Sequence, residues 1–413
     1  MSHLYLIIFI SVLNKTISQK NIYDIFFNIS SNNENEFLQI QNRISDNQYY
    51  IYQIIDLTSK KTWVYENVIQ IIPDKLSNKK VKIKLFYPLN SEIYIKSYNE
   101  KFILGNNQNN IQNCTLTNFK FYIHEKNNKI EIPFNGIFAL GNKFDDEKED
   151  FIYQLYKQKK IKYNLFSITY YKLGKGMLFI GFYHDYLLQF HEYVSYIKIE
   201  EKDEKWRINL THIFFGKLSQ EKIPNIDFPK IQYIIRNNII KVNLSAIISS
   251  LSKYIICPFS FLEYLNKINY FKSYCHLNNY NNEIYRFECE LNNIEKIVKN
   301  IERINLVFND VVSIFKPSQL FEIEKNKLIF IMISNYKIKN EWILGHYFMK
   351  KYMITFYKDL NIISLFSLFD KAYVIIKDND LYYLKQIKYL LFVNCLIISF
   401  GITILLIFQN QNS

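Results

Sequence analysis

Residues 54–64 of this chain read IIDLTSKKTWV, and the fold prediction starts from them. A hydrophobic pair precedes the carboxylate of Asp56, hydroxyl side chains follow within three residues, and a Trp-Val pair comes after three more. A related stretch lies in the second half of the chain, where residues 246–258 read AIISSLSKYIICP. There the place of the aspartate is taken by Ser249. One stretch therefore carries a carboxylate, and its counterpart carries only a hydroxyl.

Several further motifs follow one another along the chain. Short aromatic and β-branched runs separated by Asn-rich turns predict an all-β body. The motifs lie at residues 134–141 (FNGIFALG), 174–181 (GKGMLFIG), 206–210 (WRINL) and 342–352 (WILGHYFMKKY). In this order, together with residues 54–64, they resemble the pepsin-like aspartic proteases over about residues 22–369. The resemblance implies a bilobal fold, in which two β-barrel-like lobes at residues 19–185 and 186–372 flank a central cleft.

The chemistry of that family needs two carboxylates. One acts as base on the attacking water while the other acts as acid toward the scissile carbonyl, and two carboxylates about 3 Å apart share one proton because both cannot ionise. The resemblance assigns Asp56 to the first position, whereas Ser249 occupies the second. Since a hydroxyl does not titrate usefully, we expect Asp56 to stay ionised and proteolysis to be lost or severely reduced.

Other positions around the site depart from the family pattern as well. Thr58 and Leu251 replace glycines of the two loops, and Leu251 is expected to push side-chain bulk into the site. By resemblance, Tyr98 is expected to be the tyrosine of the β-hairpin flap over the cleft, although the glycines that follow it in the family are absent. Tyr98, Thr58 and Ser59 are the expected substrate-binding residues.

The two ends of the chain predict entry into the secretory pathway. An apolar core at residues 4–13 has the size of a signal-peptide h-region, which predicts a signal peptide at residues 1–18. Residues 389–408 are uncharged and apolar, long enough for a transmembrane helix, with a linker at residues 373–388 and a tail at 409–413. The nearby lysines disfavour the resulting orientation, and a GPI-anchor signal is the alternative. We expect a single-pass protein of the cell surface or an endolysosomal membrane, with its body lumenal.

Composition carries little functional information in this chain. The formal charge is +13, but the basic residues are scattered and form no nucleic-acid-binding module, so no nucleic-acid partner is expected. The abundance of Ile, Asn, Lys, Tyr and Phe is typical of a strongly AT-biased genome. Histidines such as His184, His191 and His346 lack metal-ligand spacing and are expected at the surface or the edge of the core. No metal and no cofactor are predicted.

Cysteines and sequons fit an oxidising compartment. The resemblance implies a disulfide between Cys275 and Cys289 in the second lobe. Of the other cysteines, Cys114 and Cys257 have no obvious partner, and Cys395 lies within the predicted anchor. Four Asn-x-Ser/Thr sequons are glycosylation candidates: Asn28, Asn113, Asn209 and Asn243.

Three functions remain open from the sequence. The favoured hypothesis is a monomeric, membrane-anchored pseudoprotease whose cleft binds an extended peptide or a protein partner. The second is an active aspartic endopeptidase, acting on secretory or endolysosomal proteins, with an unrecognised second carboxylate. Asp227 is the neighbouring candidate, but it lacks the continuation of an active-site loop. The third is a structural surface protein in which neither the cleft nor Asp56 matters.

Overall fold

The computed structural model describes most of the body of the chain. The described residues are 23–32, 35–44, 50–69, 71–85, 89, 91–104, 115–124, 134–170, 175–181, 194–216, 239–280, 282–309, 311–338, 340–367 and 373–374. Within these residues, no helix is both long and apolar enough to cross a membrane. The predicted signal peptide, anchor and tail lie outside them, as do several residues named above: Cys114, Cys395, Asn113, His184, His191 and Asp227.

The described residues of the first half of the chain form ten strands and one α-helix. The helix, α1, spans Phe151–Lys157. Asp150 is its N-cap, and the Asp150 side chain accepts a hydrogen bond from the Tyr153 amide. The strands are β1 (Tyr23–Asn32), β2 (Asn35–Ile44), β3 (Ile51–Asp56), β4 (Trp63–Tyr65), β5 (Leu76–Lys84), β6 (Glu92–Leu104), β7 (Thr115–His124), β8 (Gly136–Ala139), β9 (Leu165–Tyr170) and β10 (Lys175–Ile180).

The second half forms fifteen strands and four short helices among the described residues. The helices are α2 (Phe259–Lys267), α3 (Asn269–Tyr274), α4 (Ile294–Asn300) and α5 (His346–Met349). The strands are β11 (Val194–Lys198), β12 (Arg207–Phe215), β13 (Ile239–Ile248), β14 (Ile255–Ile256), β15 (Cys275–Tyr280), β16 (Ile284–Glu290), β17 (Ile304–Phe308), β18 (Val311–Phe315), β19 (Phe321–Glu324), β20 (Lys327–Phe330), β21 (Met332–Asn335), β22 (Trp342–Leu344), β23 (Met353–Tyr357), β24 (Ile362–Phe366) and β25 (Tyr373–Val374).

Two large sheets organise these strands. The first has the order β11-β24-β23-β9-β10-β1-β2-β3-β8-β4-β7-β6-β5, and an additional β2–β6 pairing closes its middle strands into a ring. The second has the order β19-β20-β16-β21-β14-β22-β13-β12-β17-β18-β25. Strands β11, β23 and β24 come from the second half of the chain yet belong to the first sheet. The halves are therefore joined by a shared sheet, in which β23 pairs antiparallel with β9.

The same three-strand arrangement occurs once in each half. Strand β3 runs parallel to β8, and β8 pairs antiparallel with β4. In the second half, β13 runs parallel to β22, and β22 pairs antiparallel with β14. Asp56 is the last residue of β3, and Ser249 directly follows the last residue of β13. The topology thus places both residues at equivalent strand ends.

Local sequence explains why the first arrangement forms. Gly136 begins β8 with φ +152°, and a Cβ there would lie 2.1 Å from the Trp63 carbonyl oxygen, so only glycine lets the two strands approach. The buried amide of Gln53 donates to the carbonyl oxygens of Trp63 at 3.1 Å and of Ile137 at 3.0 Å. This one side chain ties β3 to β8 and to the next strand, β4.

The predicted disulfide is confirmed. Cys275 and Cys289 form a disulfide between directly opposed positions of the β15–β16 hairpin. Cys257 is a free, buried cysteine, and burial raises the pKa of its thiol well above the ordinary value. Its Sγ contacts the carbonyl oxygen of Ile333 at 3.3 Å. Cys257 therefore belongs to the core rather than to a reactive site.

Candidate active site

The two loops that follow β3 and β13 are in direct contact. The amide of Leu57 donates a hydrogen bond to Ser250 Oγ at 3.1 Å. The Ser250 hydroxyl in turn donates to the carbonyl oxygen of Ile55 at 2.7 Å. These bonds flank Asp56 on both sides along the chain, and Ser250 is the neighbour of Ser249. The loop carrying Ser249 is therefore the one that meets the Asp56 loop.

Asp56 is buried and hydrogen-bonded to its own loop. Only 1% of the surface of Asp56 is exposed to solvent. Oδ1 accepts hydrogen bonds from the Thr58 amide at 2.7 Å and from the Thr58 hydroxyl at 2.6 Å. Burial raises the pKa of Asp56 to about 6, while the bonds from Thr58 and the charge of Lys205 oppose that rise.

This pKa corrects one expectation from the sequence. We expected an ionised Asp56 because no second carboxylate would raise its pKa. Desolvation raises it instead, since the charged form is disfavoured in a buried environment. The Asp56 carboxyl is therefore mostly protonated below about pH 6 and mostly ionised above it.

Ser249 occupies the matching position with a hydroxyl. It is fully buried, and its amide donates to the Leu344 carbonyl oxygen at 3.1 Å. Its Oγ accepts a hydrogen bond from the Leu251 amide at 3.3 Å. Among the described residues, the hydrogen bonds to the Asp56 carboxylate come from Thr58, and no second carboxylate shares a bond with it.

Comparison with known proteins identifies this architecture. The family model for eukaryotic aspartyl proteases matches residues 44–368, most of the chain. The chain belongs to the eukaryotic aspartyl protease family. No curated protein matches it at a significant level.

Solved structures share the aspartyl protease fold at low sequence identity. The aspartic proteinase of Irpex lacteus aligns with a TM-score of 0.59 and 10% identity, covering 84% of this chain and 97% of that one. Conglutin gamma, a basic 7S globulin from lupine seeds, aligns with a TM-score of 0.60 and 12% identity, covering 84% of this chain and 95% of its own. At these identities the likeness shows the fold alone.

The contact between the two aspartyl protease loops is asymmetric. Ser250 supplies a hydroxyl that bonds the backbone on both sides of Asp56. The equivalent residue of the first loop is Leu57, which is fully buried and has no hydroxyl to bond the second loop in return. One side chain therefore makes the polar part of this contact.

His346 lies behind the second loop rather than at the surface. It is fully buried, and its Nε2–H donates to the Ser250 carbonyl oxygen at 2.8 Å. The expectation of a surface or core-edge position is therefore wrong for this histidine. His346 occupies the position of the aspartate that follows Trp-Ile-Leu-Gly in the family, and that departure was the available sequence signal.

Tyr98 lies in a strand and not on either of the loops that carry Asp56 and Ser249. It lies in the middle of β6, opposite Leu76 and Phe121, rather than at a hairpin tip. It is only 1% exposed, and its hydroxyl accepts a hydrogen bond from the Ile72 amide at 3.2 Å. Ligand contact by Tyr98 does not fit this burial. The hairpin formed by β5 and β6 turns between Lys84 and Glu92, upstream of the residue chosen from the sequence.

Thr58 and Ser59, the other predicted binding residues, lie on the Asp56 loop. Thr58 is buried and its hydrogen-bonding groups face Asp56. Ser59 is partly buried, and its carbonyl oxygen accepts the Gly141 amide at 3.0 Å. A Cβ on Gly141 would lie 2.5 Å from that oxygen, which explains the glycine. Both residues shape the loop, and their contact with ligand remains a prediction.

A buried ionic network supports the first loop and was not found from the sequence. Lys61 forms ion pairs with Glu149 and, at 3.2 Å, with Asp145. Glu149 also accepts a hydrogen bond from the Tyr122 hydroxyl at 2.5 Å and pairs with Lys120 at 2.8 Å. The partners are separated by up to 88 residues, so no local pattern announces them.

The remaining predictions from the sequence concern glycosylation sites and metal binding. Asn209 Nδ2 donates to Asn243 Oδ1 at 3.3 Å, and Asn243 is exposed with φ +48°. Asn28 lies in β1. Glycosylation at these sequons remains a prediction. In the described ranges, no cluster of three or more His, Cys, Asp or Glu side chains is arranged to hold a metal ion.

Proposed function

We propose that this protein is an aspartic peptidase homologue with lost or reduced proteolysis, whose cleft binds an extended peptide or a protein partner. The observation that carries the proposal is the bond between the Leu57 amide and Ser250 Oγ. It supports the alignment of the second loop, and with it the serine at position 249. The pepsin-like fold is compatible with a peptide ligand.

The chemistry of the site supports loss of turnover. Asp56 with a pKa of about 6 is either a base or an acid at a given pH, whereas peptide hydrolysis needs both at once. The hydroxyl of Ser249 supplies neither role near neutral pH. General acid and general base catalysis each contribute roughly 10² to 10⁴ in rate. The missing carboxylate therefore removes at least one such factor.

We further propose a membrane-anchored protein of the secretory pathway, monomeric and with its body in the lumen. The apolar segments at residues 4–13 and 389–408 support this assignment. The disulfide between Cys275 and Cys289 fits an oxidising compartment.

The alternative is an active aspartic-type endopeptidase, and one observation favours it. The negative charge of Glu204 acts on Asp56 and raises its pKa, although burial has the larger effect. This alternative requires a second carboxylate, and Glu204 is the residue to test because its charge acts on Asp56. In this alternative, Glu204→Gln abolishes cleavage as completely as Asp56→Ala does.

A peptide-library experiment tests the proposal. Purified full-length protein in detergent is incubated with the library from pH 3 to 7, beside Asp56→Ala and with a pepstatin-like statine peptide. We expect no cleavage above that of Asp56→Ala, together with retention of a subset of peptides by the immobilised protein. Cleavage that disappears both in Asp56→Ala and with the statine peptide contradicts the proposal.

A further inference from the structure

Leu251 is the link between the second loop and the core of the first lobe. Its side chain is 0% exposed and belongs to a packed cluster of eleven buried residues. Every other member described in this cluster comes from the first half of the chain: Phe37, Ile54, Trp63, Tyr65, Leu85, Ile93, Ile95, Tyr122, Phe134 and Ile137. Leu251 thus inserts one apolar side chain of the second half into the first.

The position of this insertion is beside the candidate site. Leu251 lies two residues after Ser249 and donates its amide to Ser249 Oγ at 3.3 Å. Its cluster contains Ile54, from the strand that ends at Asp56, and Trp63, from the strand that follows the Asp56 loop. An apolar side chain of the protein itself therefore fills space between the two loops.

The cluster also contains the inner face of the β5–β6 hairpin. Ile93 and Ile95 alternate with the exposed Glu92 and Tyr94 along β6, so their side chains share the buried face. Leu85, which directly follows β5, belongs to the same cluster. The hairpin is thus packed onto the group of side chains that includes Leu251, and not held open above it.

We propose that the side chain of Leu251 occupies the cleft beside Asp56. It fills the space that a leucine-sized apolar side chain of a bound peptide would take. This proposal deepens the proposed function and rests on it. A ligand of the native protein must displace Leu251 or bind without an apolar residue at this point. The contact is autoinhibitory, because burial of an apolar side chain in this cluster stabilises the occupied state.

The test compares two buried leucines. The affinity of a pepstatin-like statine peptide, which carries leucine-like side chains, is measured at pH 5 by calorimetry on the native protein, Leu251→Ala and Leu262→Ala. Leu262 is the matched control, because it is also fully buried but lies in α2 and in a different cluster. We expect Leu251→Ala to bind at least tenfold more tightly than the native protein, and Leu262→Ala to bind like it.

A milder substitution guards against loss of folding. Leu251→Val removes one carbon and is expected to bind two- to threefold more tightly than the native protein. Equal affinities of the native protein, Leu251→Ala and Leu251→Val overturn the inference, and so does an equal gain in Leu262→Ala. Failure of the proposed function is a separate result, since it shows as peptide cleavage by the native protein.

Discussion

Leu57 and Ser250 are hydrogen-bonded across 193 residues of chain, with the Leu57 amide 3.1 Å from Ser250 Oγ. This bond joins the loop that carries Asp56 to the loop that carries Ser249. Because the bond is buried, the relative position of the two loops is fixed by the protein and not by a ligand. The equivalence of Asp56 and Ser249 is therefore supported by a contact between their loops as well as by the sequence spacing.

Removal of the Ser250 hydroxyl tests that contact. In Ser250→Ala, the Leu57 amide and the Ile55 carbonyl lose a buried partner, and an unsatisfied buried group costs about 1–3 kcal/mol. We expect the free energy of unfolding, measured with urea, to fall by about that amount. Ser252→Ala is the matched control, because its buried hydroxyl donates only to the nearby Tyr254 carbonyl oxygen at 2.9 Å. A loss in Ser250→Ala no larger than in Ser252→Ala contradicts a role in joining the loops.

Substitution of Asp56 tests the effect of burial on stability. The pKa of Asp56 is raised from 3.8 to about 6 in the folded state, so between these values the folded state binds more protons and stability falls as pH rises. The penalty is complete above about pH 6 and amounts to at most about 3 kcal/mol. Asp56→Asn is therefore expected to be more stable than the native protein at pH 7 and equally stable at pH 3.

Urea unfolding at several pH values measures this difference. The gap between Asp56→Asn and the native protein is expected to open between about pH 4 and pH 6, in the interval set by the pKa of Asp56. Asp74→Asn is a control, since Asp74 is exposed and far less desolvated. A native protein that gains stability over Asp56→Asn as pH rises through this interval contradicts a raised pKa.

Two adjacent lysines test the buried ionic network. Lys61 pairs with Glu149 and its side chain is 7% exposed, whereas the side chain of Lys60 pairs with Asp145 and is 35% exposed. Leaving a buried charge without any partner costs about 3–5 kcal/mol, and loss of Lys61 removes one of the two lysines that pair with the buried Glu149. Exposed pairs contribute roughly 0–1 kcal/mol. We expect Lys61→Met to destabilise the protein strongly and Lys60→Met to change its stability little, as measured by urea unfolding.

A double substitution separates charge from packing in that network. Lys61→Met combined with Glu149→Gln is expected to lose less stability than the sum of the two single variants, because the ion pair between Lys61 and Glu149 is lost in each single variant and can be lost only once. Strictly additive losses count against a direct ion pair between these side chains.

The disulfide gives a prediction about unfolding. Cys275 and Cys289 are 14 residues apart, and closing a loop of that size contributes about 3 kcal/mol in the chain-entropy account. The double variant Cys275→Ala and Cys289→Ala is expected to lose about that much stability, measured with urea under non-reducing conditions. Cys257→Ala is the control, because Cys257 is not part of the disulfide and this variant keeps it. A reducing agent is expected to leave the stability of the double variant unchanged.

The sequence predicted the features that local patterns specify. Gly136 and the Trp-Ile-Leu-Gly motif at residues 342–345 identified the strands beneath both loops, because close approach of strands requires particular small or apolar residues. The pairing of Cys275 with Cys289 followed from the family resemblance and is confirmed. In these cases the residue type and its spacing carried the structural requirement.

Other features depend on contacts that spacing does not encode. Tyr98 was assigned to the flap because the family has a tyrosine there, although the glycines that follow that tyrosine in the family are absent. In the structure Tyr98 is buried in the middle of a strand. The raised pKa of Asp56 follows from the burial of its carboxyl group. The partners of Lys61 and the position of His346 depend likewise on residues distant in the chain. Desolvation and long-range pairing are properties of the assembled fold.

Titration of the Asp56 carboxyl in the full-length protein, followed by infrared difference spectroscopy from pH 3 to 8, tests whether this carboxylate shares its proton with a second one. A single proton-binding step near pH 6, absent in Asp56→Asn, unchanged in Ser249→Ala and shifted only slightly to lower pH in Glu204→Gln, is the result expected of a buried carboxylate that shares its proton with no other. Two coupled steps, or a transition that shifts strongly in Glu204→Gln, are the signature of carboxylates sharing a proton and contradict the account.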